Sequence, residues 1–123
     1  MDASAITWLQ RVLTENSGRA NIVCAHHSRL SCGNHGDIVN VDPLWQLLFD
    51  DNGMPLAALT MAGHDHNVSL YSPRGRENPK TNVQPSERGI HILVNGAGGH
   101  GHDKHFEGTT PDLFQNGEQY CVT

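Results

Sequence analysis

The sequence predicts a single small α/β domain, a mixed β-sheet with flanking helices. Three observations predict it: an amphipathic helix near the start, short apolar runs rich in β-formers that end in glycine turns, and a second helix between two of those runs. A length of 123 residues suits one domain with a modest core. Hydrophobic residues make up 37% and charged residues 17%, the balance of a globular chain rather than a disordered one.

Each element has its own warrant. Ser4 to Glu15 places Ile6, Leu9, Val12 and Leu13 on one helical face with Trp8 beside them, and Asp2 or Ser4 can cap it. The run ENSGR ends that helix. ANIVCA, Ala20 to Ala25, reads as a core strand in which Cys24 is a small buried hydrophobe. His26 to Asn40 is polar and contains glycine, and reads as a long loop. A second helix starts with Asp42 as N-cap and Pro43 in its first turn, aligns Leu44, Leu47 and Leu48, and stops at Asn52-Gly53. MPLAALTMAG is a second buried strand and NVSLYSP a third. Arg74 to Glu87 reads as an exposed, proline-containing loop. GIHILVNGAGG is a further strand running into a glycine turn, and GEQYCVT at the end reads as a strand barely begun.

Composition excludes several functions. Eight basic against thirteen acidic residues give a net charge of −5 with no Lys or Arg run, so neither a nucleic-acid face nor a polybasic membrane patch is expected. No apolar segment is long enough to span a bilayer. The opening MDASAITWLQ lacks the basic-then-apolar pattern of a secretory signal. Cys24, Cys32 and Cys121 are odd in number and lack C-x-x-C spacing, which argues against a disulfide framework or a zinc–cysteine cage and leaves a single bridge open.

Histidine is the compositional oddity, with nine in the chain. His64 and His66 flank Asp65 directly after the apolar strand that ends in Gly63. In extended backbone, residues two apart point the same way, so both imidazoles would face one point while Asp65 faces the other. Neutral imidazole is a ligand for zinc, iron or manganese. Two solvated histidines on a surface turn are the plain alternative. A second strand, NIVCA, also runs straight into histidines, His26 and His27. Adjacent strands ending at one sheet edge bring such residues together, and this pairing favours a shared metal site.

IVCAHHSRLSCGNHGD, then a helix, then LAALTMAGHDHN and GIHILVNGAGG, resembles the C-terminal half of the calcineurin-like metallophosphoesterases, on the branch that includes the purple acid phosphatases. The resemblance spans about residues 5 to 100. It implies a partial metallophosphoesterase sandwich and a two-metal centre of divalent or trivalent ions (iron, zinc or manganese) acting on a phosphate ester. By position it implies that His26 and His64 share one ion and that His66 binds the second, with Asp65 and Asn67 in support. His27, Arg29 and His35 are the candidate phosphate contacts. Ser28-Arg29 stands where the family carries proline.

The family's upstream ligand motifs, Asp-x-His, Gly-Asp-x-x-Asp and Gly-Asn-His-Asp/Glu, have no counterpart, because residues 1–25 contain no histidine. CGNHGD, Cys32 to Asp37, follows the His-His element rather than preceding it and is expected to line the cleft. GAGGHG, Gly96 to Gly101, fits a dinucleotide fingerprint only formally, because no helix pattern follows. HGHDKH, His100 to His105, reads as a solvated loop. With two ligands for one ion, one for the other and no bridging carboxylate, the isolated chain is expected to bind metal weakly and turn over poorly. Half a domain would also leave sheet edge and an apolar face uncovered, favouring self-association. The competing expectation is a non-catalytic metal- or partner-binding remnant of the same half-fold. A barrel amidohydrolase needs a far longer chain.

Overall fold

The computed structural model describes residues 2–76, 83–99, 101–103 and 106–117. Helix α1 (Ala3–Glu15) begins where Asp2 accepts a hydrogen bond from the backbone N–H of Ser4, one of the two caps expected. Strand β1 (Ile22–Ala25), a 3-10 turn (Val39–Val41), helix α2 (Asp42–Leu47) and strands β2 (Leu59–Ala62), β3 (Val68–Arg74), β4 (Ile90–Asn95) and β5 (Phe114–Asn116) follow. The five strands form one mixed sheet in the order β1-β2-β4-β3-β5. Strands β1, β2 and β4 are parallel, while β3 runs antiparallel to both β4 and β5. The α/β class with flanking helices is therefore the fold. No helix among the described residues is long and apolar enough to cross a membrane.

Register explains which side chains are buried. Directly opposed residues share a sheet face, so Val23, Thr60 and Ile92 form one row and Ala25, Ala62 and Val94 the next. This is the core side: Ile90, Ile92 and Val94 of β4 are fully buried, with Trp45 of α2, Leu48 just after it and Leu13 of α1 in the same cluster. The Trp45 indole N–H donates to the Gly75 carbonyl at 3.1 Å, which satisfies its one polar atom. On the opposite face, Cys24, Met61, Leu93, Leu70 and Phe114 make a single row across all five strands.

Three expectations need correction. Cys24 is exposed rather than buried, because β1 is an edge strand and Ile22 and Cys24 project from its uncovered face. Asp42 is not the N-cap of α2: a 3-10 turn precedes it, Val41 takes the cap position, and the helix ends at Leu47, well before Asn52-Gly53. The Asp42 carboxylate instead receives Arg29 Nε at 3.1 Å. The segment from Arg74 is not simply an exposed loop. Arg74 closes β3, Val83 is fully buried in the core, and Pro85 bridges to Arg74; residues 77–82 lie outside the described residues. The terminal run GEQYCVT, expected to begin a strand, lies outside the described residues apart from Gly117, and a separate short strand, β5, occupies Phe114–Asn116.

Pro73 sits inside β3 without breaking it. The pairing of β3 shifts register between Tyr71 and Arg74, and β5 pairs only with Val68 to Leu70, so no ladder partner needs the N–H that Pro73 lacks. Asp112 secures this end by accepting the Ser72 backbone N–H at 2.8 Å and pairing with Arg74 at 3.0 Å. Burial alone would raise the Asp112 carboxyl, but these partners outweigh it and hold the group at about 2.

Candidate metal centre

The C-terminal ends of β1, β2 and β4 lie side by side because the three strands are parallel and in register. Ala25 opposes Ala62, so the residues that follow, His26 and the Gly63-His64 pair, leave the sheet together. The Gly63 N–H donates to the His26 carbonyl at 3.2 Å, extending the ladder one step past the strands. Both chains then bend. At His26-His27 the bend overrides strand alternation and brings adjacent rings within 4.7 Å of each other. His64 takes the left-handed backbone conformation, φ 58°, which turns its ring back over the rim.

The result is a histidine cluster. His26 Nε2 lies 3.1 Å from His64 Nδ1. Ring centroids are 5.0 Å apart for His26 and His64, 4.4 Å for His27 and His64, and 4.1 Å for His35 and His64. Burial lowers the His64 pKa, and the neighbouring charges of His35 and His27 lower it further, so His64 favours the neutral, lone-pair-bearing form that binds metal.

His35 is positioned from below by Asp65. That aspartate is about 1% exposed. It accepts the His35 backbone N–H at 3.0 Å, His35 Nδ1 at 2.6 Å and the Ser31 hydroxyl. Burial by itself would raise the Asp65 carboxyl, but the hydrogen bonds from Ser31 and His35 outweigh it and hold the pKa below the usual carboxylate value. With Nδ1 engaged by Asp65, the remaining ring nitrogen of His35, Nε2, is the one that can meet a ligand.

The stretch from Ser28 to Gly33, within the polar loop expected over His26 to Asn40, is buried throughout. Its polar groups are satisfied internally: Arg29 by Asp42, the Ser31 N–H by Asp37 Oδ1 at 3.0 Å, and Cys32 Sγ by Ser69 Oγ at 3.1 Å. Gly33 has no alternative here, since a Cβ would collide with the side chains of both Asp65 and Asp103.

The placement of each expected residue is now plain. His26, His27, His35 and His64 are brought together. Arg29 is not offered to a phosphate: its side chain is 3% exposed and spent on Asp42, joining the loop to α2. His66 is not a member of the group of ligand atoms within 4.8 Å of one another, which among the described residues consists of His26, His27 and His64. The extended backbone that would aim His64 and His66 alike is absent, because residues 64–67 form a bend between β2 and β3. His66 is held through its main chain, its N–H donating to Asp103 Oδ2 at 3.0 Å and its carbonyl accepting the Asp103 N–H at 3.1 Å.

Asp103 is the residue that sequence reasoning missed. It lies in HGHDKH, a run expected to be solvated, yet it is buried and also accepts the Asn34 N–H at 3.1 Å and the Asn67 side-chain amide at 3.3 Å. His100 and His105 of that run lie outside the described residues. Asp37 acts similarly, accepting the Thr109 N–H at 3.0 Å and its hydroxyl at 2.6 Å.

The nitrogens of His26, His27 and His64 form a group that could hold an ion, and the 3.1 Å contact of His26 with His64 is also within hydrogen-bond reach when one ring carries the proton. Two imidazole nitrogens on tetrahedral zinc, each about 2.05 Å from the metal, stand roughly 3.3 Å apart, close to the observed separation of His26 and His64. A cleft of about 380 Å³ opens beside the cluster, walled by His26 and His27 on one side and by Ile6, Val41, Pro43 and Leu44 on the other. No protein-family model matches this chain, and no curated protein matches it.

Proposed function

We propose that the chain carries a metal-dependent phosphoesterase site in incomplete form, with a divalent ion seated between His26 and His64. One observation carries the reading: two imidazole nitrogens from the ends of neighbouring parallel strands lie 3.1 Å apart, at a chelating separation. When bound, such an ion supplies positive charge to the oxygens of a phosphate ester and makes nearby water more acidic. His35, oriented by Asp65, contributes a ring nitrogen that can exchange a proton with substrate, and His27 stands where it can contact phosphate. The cleft beside His26 and His27 receives the alcohol part of the ester. The two-ion form implied by the resemblance would give the second ion to His66, but His66 stands outside the ligand group among the described residues, and the site proposed here does not use it.

A second reading, a metal-binding remnant without turnover, is favoured by one feature: the ligand group among the described residues is all histidine and offers no bridging carboxylate. Metal analysis after loading, paired with hydrolysis of p-nitrophenyl phosphate, separates the two. Substoichiometric to stoichiometric metal with slow hydrolysis, both abolished by His64→Ala, supports the phosphoesterase reading. Bound metal with no hydrolysis above the free-ion control supports the remnant. Metal content unchanged in His64→Ala removes the basis of both.

A further inference from the structure

The third imidazole of the cluster is His27. It follows a strand-end ligand directly, and in extended backbone its ring would point away from that of His26. The bend at residues 26–27 places it instead 4.7 Å from the His26 ring and 4.4 Å from the His64 ring, centroid to centroid. The three ring planes are mutually inclined, at 82°, 72° and 60°. Nitrogen lone pairs lie in the ring plane, so rings inclined in this way can present theirs to one point from different directions. Stacked rings would not. One ligand atom from each residue lies within 4.8 Å of the others. Bringing the widest of these separations to the roughly 3.3 Å of a tetrahedral zinc site needs a movement of about 1.5 Å, within reach of a side-chain rotation by an exposed residue such as His27.

We infer that this chain builds one mononuclear site, a facial set of three imidazoles from His26, His27 and His64, which takes a single borderline divalent ion and leaves a coordination position open to the cleft. The inference rests on the metal-binding part of the reading above and changes its ligand set, with His27 in the place that the two-ion form gives to His66. Three neutral nitrogens with no carboxylate also select the ion. They suit zinc, cobalt, nickel or copper, whereas magnesium, calcium and manganese are matched by oxygen donors. Three protein ligands plus an open position is the arrangement of hydrolytic rather than structural zinc.

The test is a titration of the metal-stripped chain with cobalt(II), read by its visible absorption, alongside His27→Ala and His66→Ala. His27 is exposed and His66 partly so, and circular dichroism reports whether each variant folds. The expected result is saturation at one equivalent with the strong visible bands of a four- or five-coordinate ion, unaffected by millimolar magnesium and displaced by zinc. His27→Ala is expected to weaken binding at least 100-fold, beyond the 10- to 100-fold effect typical of residues outside the ligand shell. His66→Ala is expected to leave affinity and spectrum unchanged. Saturation at two equivalents, or loss of binding in His66→Ala but not in His27→Ala, overturns the inference. Phosphate-ester hydrolysis is a separate readout. Its absence with a one-equivalent, His27-dependent site overturns the phosphoesterase reading alone, and hydrolysis that depends on His66 but not His27 overturns this inference alone.

Discussion

Replacing Asp65 by Asn removes the charge of a buried carboxylate at nearly constant volume. In the native chain that carboxylate, about 1% exposed, accepts three hydrogen bonds, from Ser31 Oγ, His35 N and His35 Nδ1. Asparagine keeps one acceptor oxygen for the two His35 donors and turns its amide toward the Ser31 hydroxyl, which must then give up donating at this position. A hydrogen bond to a charged acceptor contributes about 1.5–3 kcal/mol. One such bond is lost and another weakened, while the neutral amide escapes the desolvation that opposes the carboxylate, so the net loss is about 2–3 kcal/mol. For a domain of this size, that lowers Tm by roughly 6–12 °C.

Urea unfolding of both proteins between pH 7 and pH 2.5 is the assay. The folded Asp65 carboxyl lies below its ordinary value of 3.8, so its contribution is whole above that pH and is lost as the pH falls through 3.8 toward the folded pKa. The wild-type and Asn curves are therefore separated at neutral pH and converge in acid. Equal stability at pH 7, or a gap that stays constant down to pH 2.5, refutes the assignment of Asp65 as the charged anchor of the 31–35 loop.

Arg29→Ala strips the partner from Asp42, whose side chain is 8% exposed, and leaves a buried charge uncompensated. A loss of about 3–5 kcal/mol is expected in the urea midpoint, and Arg29→Ala combined with Asp42→Asn should recover part of it. Acidification should destabilise the chain through His64. Its folded pKa lies below 6.5, so the unfolded chain takes the proton first and stability falls as pH drops through that value. His64→Asn, which tolerates the left-handed backbone at this position, should flatten that part of the pH–Tm profile. The row Cys24, Met61, Leu93, Leu70 and Phe114, with Phe114 51% exposed, is expected to drive self-association by face-to-face sheet packing. Sedimentation velocity should show mass rising with concentration, and Phe114→Glu should return the chain to monomer. A monomer at every concentration would sink this expectation.

What the sequence made legible is what local pattern decides. The apolar runs at Ile22–Ala25 and Leu59–Ala62 end in histidines, and the parallel pairing of those runs places His26 beside His64 as strand-end reasoning expects. The opposite treatment of Cys24 shows the limit. Apolar character marks a strand, but which face is covered depends on partners far away in sequence, and β1 is an edge strand. Asp42 before Pro43 has the composition of a cap, yet a buried arginine thirteen positions earlier claims the carboxylate. The period of two that pairs His66 with His64 holds only in extended backbone, and the chain bends there. Asp103 could not be singled out, because its partners at Asn34, His66 and Asn67 are 36 to 69 residues away. Strand β5, Phe114-Gln-Asn, is too short to show any alternation.

The tripeptide His64-Asp65-His66 explains why metal binding and folding should be coupled here. Its three residues are fixed by different parts of the chain: His64 by the rings of His26, His27 and His35, Asp65 by Ser31 and His35, and His66 by the main-chain pair with Asp103. The left-handed turn at His64 lets one residue face the rim while the next is buried. An ion gripping His64 therefore resists unfolding of the same bend that Asp65 anchors from the opposite side. A ligand that binds only the folded state stabilises it by about 2.7 kcal/mol at a hundred times its Kd, which is the size of the loss expected for Asp65→Asn. Saturating zinc should thus return the Tm of the Asp65→Asn protein to near that of the metal-free wild type, while leaving an Asp65→Asn protein that also carries His64→Ala unmoved. Equal rescue of both would mean that the ion binds elsewhere, and that the bend merely presents its histidines to water.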